Sequence, residues 1–162
     1  MNHEESKLQQ QCVAWFRAEY PQYAMLLTHP ANEGNGNRVS GAIHKAEGTV
    51  AGVPDLLFFL PSIFFEGDAS VATEYHGLGI EFKREKGRQS QEQNDFQKMF
   101  EAAGYRYILI RNKERFMFAI NAWISHAHTL TKNRVFDTYM NIKREAEAKE
   151  REHFYKVIGK KQ

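Results

Sequence analysis

Three residues carry reactive chemistry at a telling spacing: Asp55, Glu81 and Lys83. Asp55 follows Pro54 and precedes the apolar run Leu56-Leu57-Phe58-Phe59-Leu60, while Glu81 and Lys83 interrupt a second run, Leu78-Gly79-Ile80-Glu81-Phe82-Lys83. Both runs read as buried strands, and a purely structural strand would carry no charge at those positions. Side chains alternate faces along a strand, so Glu81 and Lys83 project together while Ile80 and Phe82 turn to the other side. With Asp55 aimed at the same spot from a neighbouring strand, two carboxylates and an amine converge. That set suits a hard divalent cation with a proton-handling partner. Pro54 fixes its own backbone and pushes Val53 extended, which aims Asp55 from the strand's start. Taken alone, Asp55 also reads as an ordinary turn residue.

The elements that must position this trio follow from periodicity. Residues 4–19 read as an amphipathic helix with Leu8, Cys12, Trp15 and Phe16 inward and Tyr20-Pro21 ending it. Glu5 lies near the edge of its buried face; a carboxylate there also suits the helix dipole and nothing more. Residues 23–28 read as the first strand, 29–38 as a polar loop, and 39–47 as a short helix stopped by Gly48. In that loop His29, Asn32 and Arg38 are donors of the kind that contact phosphates or bases, or else a solvated surface. The segment 61–77 reads as a loop excursion in which Ile63-Phe64-Phe65 must bury or meet a partner. Arg84, Lys86 and Arg88 follow the second strand closely, either as a solvated turn or, beside a metal site, as a grip on phosphate. Ser90 caps the next helix, which carries Phe96, Met99 and Phe100 inward and ends at Gly104. Gln93 falls in its first turn, an exposed helix former by itself. A strand at 105–110 follows, then a helix at 112–125; strand, helix, strand is the pattern of a parallel pair with a crossover. His126 and His128 face different ways on a helix and read as structural. The expected division is a domain over 1–128 and a helical extension over 129–162, where 141–152 alternates charges and Lys156, Lys160 and Lys161 form a basic end.

Composition narrows the class. The 162 residues suffice for one compact domain with a real core, and the net charge of +2 means that nucleic-acid affinity must come from local clusters. The single cysteine, Cys12, excludes an internal disulfide and a cysteine-rich zinc module. The acidic, polar start Met1-Asn2-His3-Glu4-Glu5 is unlike a secretory leader, and no apolar run approaches membrane-spanning length. A cytoplasmic protein without membrane partners is the expectation. Glycines at 34 and 36 lack the Gly-Lys-Ser/Thr ending of a nucleotide loop, which excludes a nucleoside triphosphatase of that type.

The pattern Pro54-Asp55 followed by Glu81-x-Lys83 resembles the PD-(D/E)xK nuclease superfamily. Its surroundings, Gly48-x-x-Ala51-Gly52-Val53-Pro54-Asp55-Leu56 and Glu81-Phe82-Lys83-Arg84-x-x-Gly87-Arg88-x-Ser90-x-x-Gln93, resemble the VRR-NUC branch, the virus-type replication-repair nucleases. The similarity covers most of residues 4–112. It implies an α/β fold with a restriction-endonuclease-like core, a mixed sheet of about four strands flanked by helices. It implies Mg2+ or Mn2+ held by Asp55, Glu81 and the Phe82 carbonyl, and Lys83 orienting or deprotonating the attacking water. Glu5, in the setting Glu5-Ser6-Lys7-Leu8-Gln9, joins the site by the same resemblance, holding a second metal or its water, and Gln93 contacts the substrate or the water. Arg84, Lys86, Arg88, His29, Asn32 and Arg38 become DNA contacts.

The implied activity is endonucleolytic cleavage of structured or branched DNA. The stand-alone size resembles phage or prophage members, some of which look like dimeric Holliday-junction resolvases; junction resolution needs two symmetric sites, so a homodimer is part of the expectation. A second reading is a non-catalytic DNA-binding or interaction module on a retained nuclease fold. Its signature would be loss of an acidic ligand or of the lysine, and Asp55, Glu81 and Lys83 are all present.

Overall fold

The computed structural model describes residues 3–30, 46–66 and 71–159. The chain divides into two compact units, Met1–Ala127 and His128–Gln162.

The first unit is built on a four-stranded mixed sheet in the order β1-β2-β5-β6. Its strands are β1 (Leu27–Thr28), β2 (Leu56–Phe58), β5 (Leu78–Phe82) and β6 (Arg106–Ile110). β2 runs antiparallel to β1 and β5, whereas β5 and β6 are parallel and joined through helix α2 (Gln91–Ala102). A parallel pair needs such a crossover, as the sequence pattern predicts.

All five residues of β5 are buried. On one face of the sheet, Leu56, Phe58, Ile80, Phe82 and Ile110 form the core with Cys12 and Phe16 of α1 (His3–Glu19) and Phe116, Ile120 and Trp123 of α3 (Lys113–His126). Edge-on packing of Phe16 on Phe58, with centroids 5.3 Å apart, and stacking of Phe82 with Phe116 at 6.0 Å join the layers. The opposite face receives α2. Gly79 is required there, because a Cβ would stand 2.8 Å from the Phe100 ring and 3.1 Å from Pro54.

Local signals start and stop these helices. Ser90 accepts from the Gln93 amide while the Gln93 side chain accepts from the Ser90 amide, a complete capping box for α2. Gly104, at φ +83°, lets the chain leave α2. Asn112 caps α3 by accepting from the Arg115 amide at 2.8 Å.

Two expectations need correction. Residues 21–26 form a 3-10 helix rather than a strand, and only Leu27–Thr28 pair with β2. Pro21 presets the helical φ at the first position, and Tyr23 still reaches the core. The excursion at 61–77 is a β-hairpin, β3 (Ser62–Glu66) antiparallel to β4 (Val71–Tyr75), not a loop. It is anchored by Ser62, whose hydroxyl donates to the Trp123 carbonyl at 2.8 Å, and by stacking of Phe64 on His126. That stacking gives His126 a structural place. The short helix expected at 39–47 lies outside the described residues except for its end, where Gly48 turns the chain at φ +97°.

The second unit contains α4 (Thr129–Gly159), one continuous helix of 31 residues. The alternating charges at 141–152 lie inside it, and Lys156 pairs with Glu152 one turn away. Lys160 and Lys161 lie outside the described residues.

Candidate active site

The register of β2 on β5 pairs Leu56 with Ile80, which sets Asp55 opposite Glu81 on the next step of the antiparallel ladder. Residues opposite one another in such a ladder share a face. Asp55 is held at both ends. Its Oδ2 accepts from the Phe82 amide at 2.7 Å, and its carbonyl accepts from His29 Nδ1 at 2.6 Å and from the Gln9 amide at 3.5 Å. A carbonyl only accepts, so the hydrogen of this bond sits on Nδ1.

Gly52 fixes the loop before Asp55. At φ +86° it lies so close to α2 that a Cβ would stand 2.2 Å from the Glu92 carbonyl oxygen and 2.9 Å from the Gln93 nitrogen. The segment carrying Asp55 and the helix turn carrying Gln93 are thereby locked together.

Glu81 is 2 % exposed. A buried carboxylate must be paired, and this one is. Lys83 Nζ lies 2.9 Å from Oε1, the Gln93 side-chain amide donates to the same oxygen, and the Tyr107 hydroxyl lies 3.3 Å from Oε2. The Gln93 carbonyl oxygen accepts from the Ser90 amide, so one side chain serves both the helix cap and Glu81.

Burial and the nearby negative charge of Glu81 push the Asp55 carboxyl up to about 6, against the opposing pull of the Phe82 amide, Lys83 and His29. Two acids that repel each other at a common face fit a divalent cation, which would relieve both the burial and the repulsion. No third His, Cys, Asp or Glu joins them as a metal-binding group among the described residues. The fit therefore rests on Asp55 and Glu81, with backbone oxygen such as that of Phe82 and solvent completing a shell of the kind Mg2+ keeps.

Glu5 reaches the end of β5 from α1. Its Oε1 accepts from the Arg84 amide at 3.0 Å, just beyond Lys83. The Arg84 carbonyl in turn accepts from Arg111 Nη1 at 2.6 Å, and the Glu85 carbonyl from the same nitrogen at 3.0 Å. Arg111 and Glu5 thus hold the start of the basic turn from both sides, leaving the Arg84, Lys86 and Arg88 side chains exposed. His29 is exposed as well, while Asn32 and Arg38 lie outside the described residues.

Sequence reasoning singled out neither Gln9, Tyr107 nor Arg111. Gln9 is buried on α1, and Tyr107 sits two positions before Leu109, the residue paired with Glu81. A two-residue period carried from Glu81 across to the parallel strand would have put Tyr107 on the same face.

A fold with a mixed four-stranded sheet, flanking helices and an acid pair where β2 begins opposite the end of β5 is the restriction-endonuclease-like class. No family model matches the sequence, and no curated protein matches it. Among solved structures, one described as "VRR_NUC domain protein" superposes with a TM-score of 0.61 at 19% identity, covering 78% of this chain and 93% of that one. The chain shares the fold of that structure.

Proposed function

We propose that this protein is a Mg2+- or Mn2+-dependent endonuclease that hydrolyses phosphodiester bonds in structured or branched DNA. The observation that carries this reading is Asp55 facing Glu81 with the Lys83 amine 2.9 Å from Glu81 Oε1. A cation held by Asp55 and Glu81 would neutralise charge on the phosphate and acidify a bound water. Lys83 leans on the same carboxylate, where its amine can orient that water and stabilise the crowded phosphorus. Gln93 holds Glu81 and lies where it can extend the water's hydrogen bonding. Glu5 keeps the backbone beyond Lys83 in place. The exposed Arg84, Lys86 and Arg88 grip flanking phosphates, with His29 a further donor at the rim.

The reading includes a homodimer that presents two such centres to a four-way junction, as resolution requires. No helix among the described residues is long and apolar enough to cross a membrane. The test is a panel of labelled four-way junctions, flaps, forks, single strands and duplexes with Mg2+ or Mn2+ and with chelator, alongside light scattering to compare the mass with the 18.8 kDa chain. Chelator-sensitive cutting of branched substrates by a dimer is expected. Absence of cutting on every substrate with either metal overturns the assignment, and cutting by a monomer removes junction resolution.

A further inference from the structure

The two oxygens of Glu81 are held differently. Oε1 receives Lys83 and Gln93, whereas Oε2 receives the Tyr107 hydroxyl. Tyr107 is 6% exposed and sits across from Gly79 in the parallel register of β5 and β6. The ring packs beside Gly79, where a Cβ would lie 3.4 Å from Tyr107 Cδ2, an ordinary contact distance. The ring consequently lies along the same face as Glu81, two positions further along β5.

The direction of the hydrogen bond is fixed by the carboxylate it meets. Gln89 stands beside the phenol, and its side-chain amide donates to Gln97 Oε1 at 2.8 Å. Gln97 is itself tied to Glu101 at 2.9 Å. A carboxylate oxygen accepts, so the phenol sends its hydrogen to Glu81 Oε2.

We propose that Tyr107 is a positioning residue of the hydrolytic centre: its hydroxyl sets the rotation of the Glu81 carboxylate so that Oε1 faces Lys83 and the cation site. Gln89 and Gln97 act behind it by fixing the phenol. The functional half of this inference rests on the nuclease reading; the orientation of Glu81 does not.

Tyr107→Phe keeps the ring and removes only the hydroxyl, and it is tested by three readouts. The first is the rate of Lys83 acetylation in metal-free protein, resolved by mass spectrometry. A freed Glu81 carboxylate loosens the ion pair, and the rate is expected to rise about threefold or more. The second is Mn2+ affinity by calorimetry, expected to fall about tenfold, as for other groups that orient a ligand. The third is cleavage, with kcat reduced and KM for DNA unchanged. Gln89→Leu, which leaves the ring and hydroxyl intact, is expected to move the same readouts in the same direction by less, and it stands in should Tyr107→Phe fail to fold. Unchanged Lys83 reactivity in the folded variants overturns the proposal. A changed reactivity in a protein whose wild type binds no Mn2+ supports the positioning role and removes the nuclease reading instead.

Discussion

The Asp55 carboxylate accepts the Phe82 amide hydrogen at 2.7 Å, and this bond ties the first acid to the backbone between Glu81 and Lys83. It makes the three groups one unit. Any shift of β2 along β5 that carried Asp55 away would also strip an acceptor from a buried amide.

That bond survives in Asp55→Asn, because the amide oxygen still accepts, while the charge that burial and Glu81 oppose disappears. The folded carboxyl titrates near 6, above its ordinary 3.8, so between these values the folded state binds more protons than the unfolded one. Stability contributed by this group is therefore fully present below about pH 4, falls as pH rises toward about 6, and is level above. In chelator, Asp55→Asn is expected to melt at or above the wild-type temperature at about pH 8 and to lose that advantage at about pH 4. Differential scanning calorimetry checks it; a variant clearly less stable at pH 8 would make Asp55 a structural residue.

A cation needs Asp55 ionised. Its affinity is expected to be level above pH about 6 and to fall roughly tenfold per unit below it, as protons compete for the carboxylate. Thermal shifts with Mg2+ across this range are the measurement. An equal shift at pH 5 and pH 8 would place the cation elsewhere.

Gly52→Ala combines a left-handed backbone with a collision against the Glu92 carbonyl. A loss of at least about 2 kcal/mol in urea unfolding is expected. Cleavage should suffer with it, since moving the first turn of α2 draws Gln93 from Glu81. An unchanged midpoint would mean that this contact gives way freely.

Arg88→Ala should weaken DNA binding and lower the salt slope by about one counterion. Arg111→Gln acts differently. It frees the Arg84 and Glu85 carbonyls, so binding weakens through a loosened turn while Lys86 and Arg88 remain. Fluorescence anisotropy over a salt series, in an Asp55→Asn background, separates them; identical slopes for wild type and Arg88→Ala would make the turn a bystander.

Much of this fold was legible because its signals are local. Ser90 and Gln93 lie three residues apart and announce a helix start, and two apolar runs with charges at fixed places announce the acid-bearing strands. Residues 23–28 misled because a short apolar run has no period long enough to separate a 3-10 turn from a strand, and Pro21 was the signal to weigh. The paired strands at 62–66 and 71–75 were missed because Pro61, Gly67, Asp68 and Gly77 are loop signals in the sequence. Gln9 and Tyr107 could not be read locally. Their partners, Asp55 and Glu81, lie 46 and 26 residues away, and only pairing of the strands brings them together.

The central claim is that Asp55, Glu81 and Lys83 form a single phosphodiester-cleaving centre. The most direct measurement is the rate of Mn2+-dependent cleavage of a labelled branched DNA by Asp55→Asn, Glu81→Gln and Lys83→Ala, with circular dichroism confirming the fold of each. Each variant is expected to lose activity by on the order of 10^2–10^3-fold or more. Wild-type rates in any of the three would contradict it.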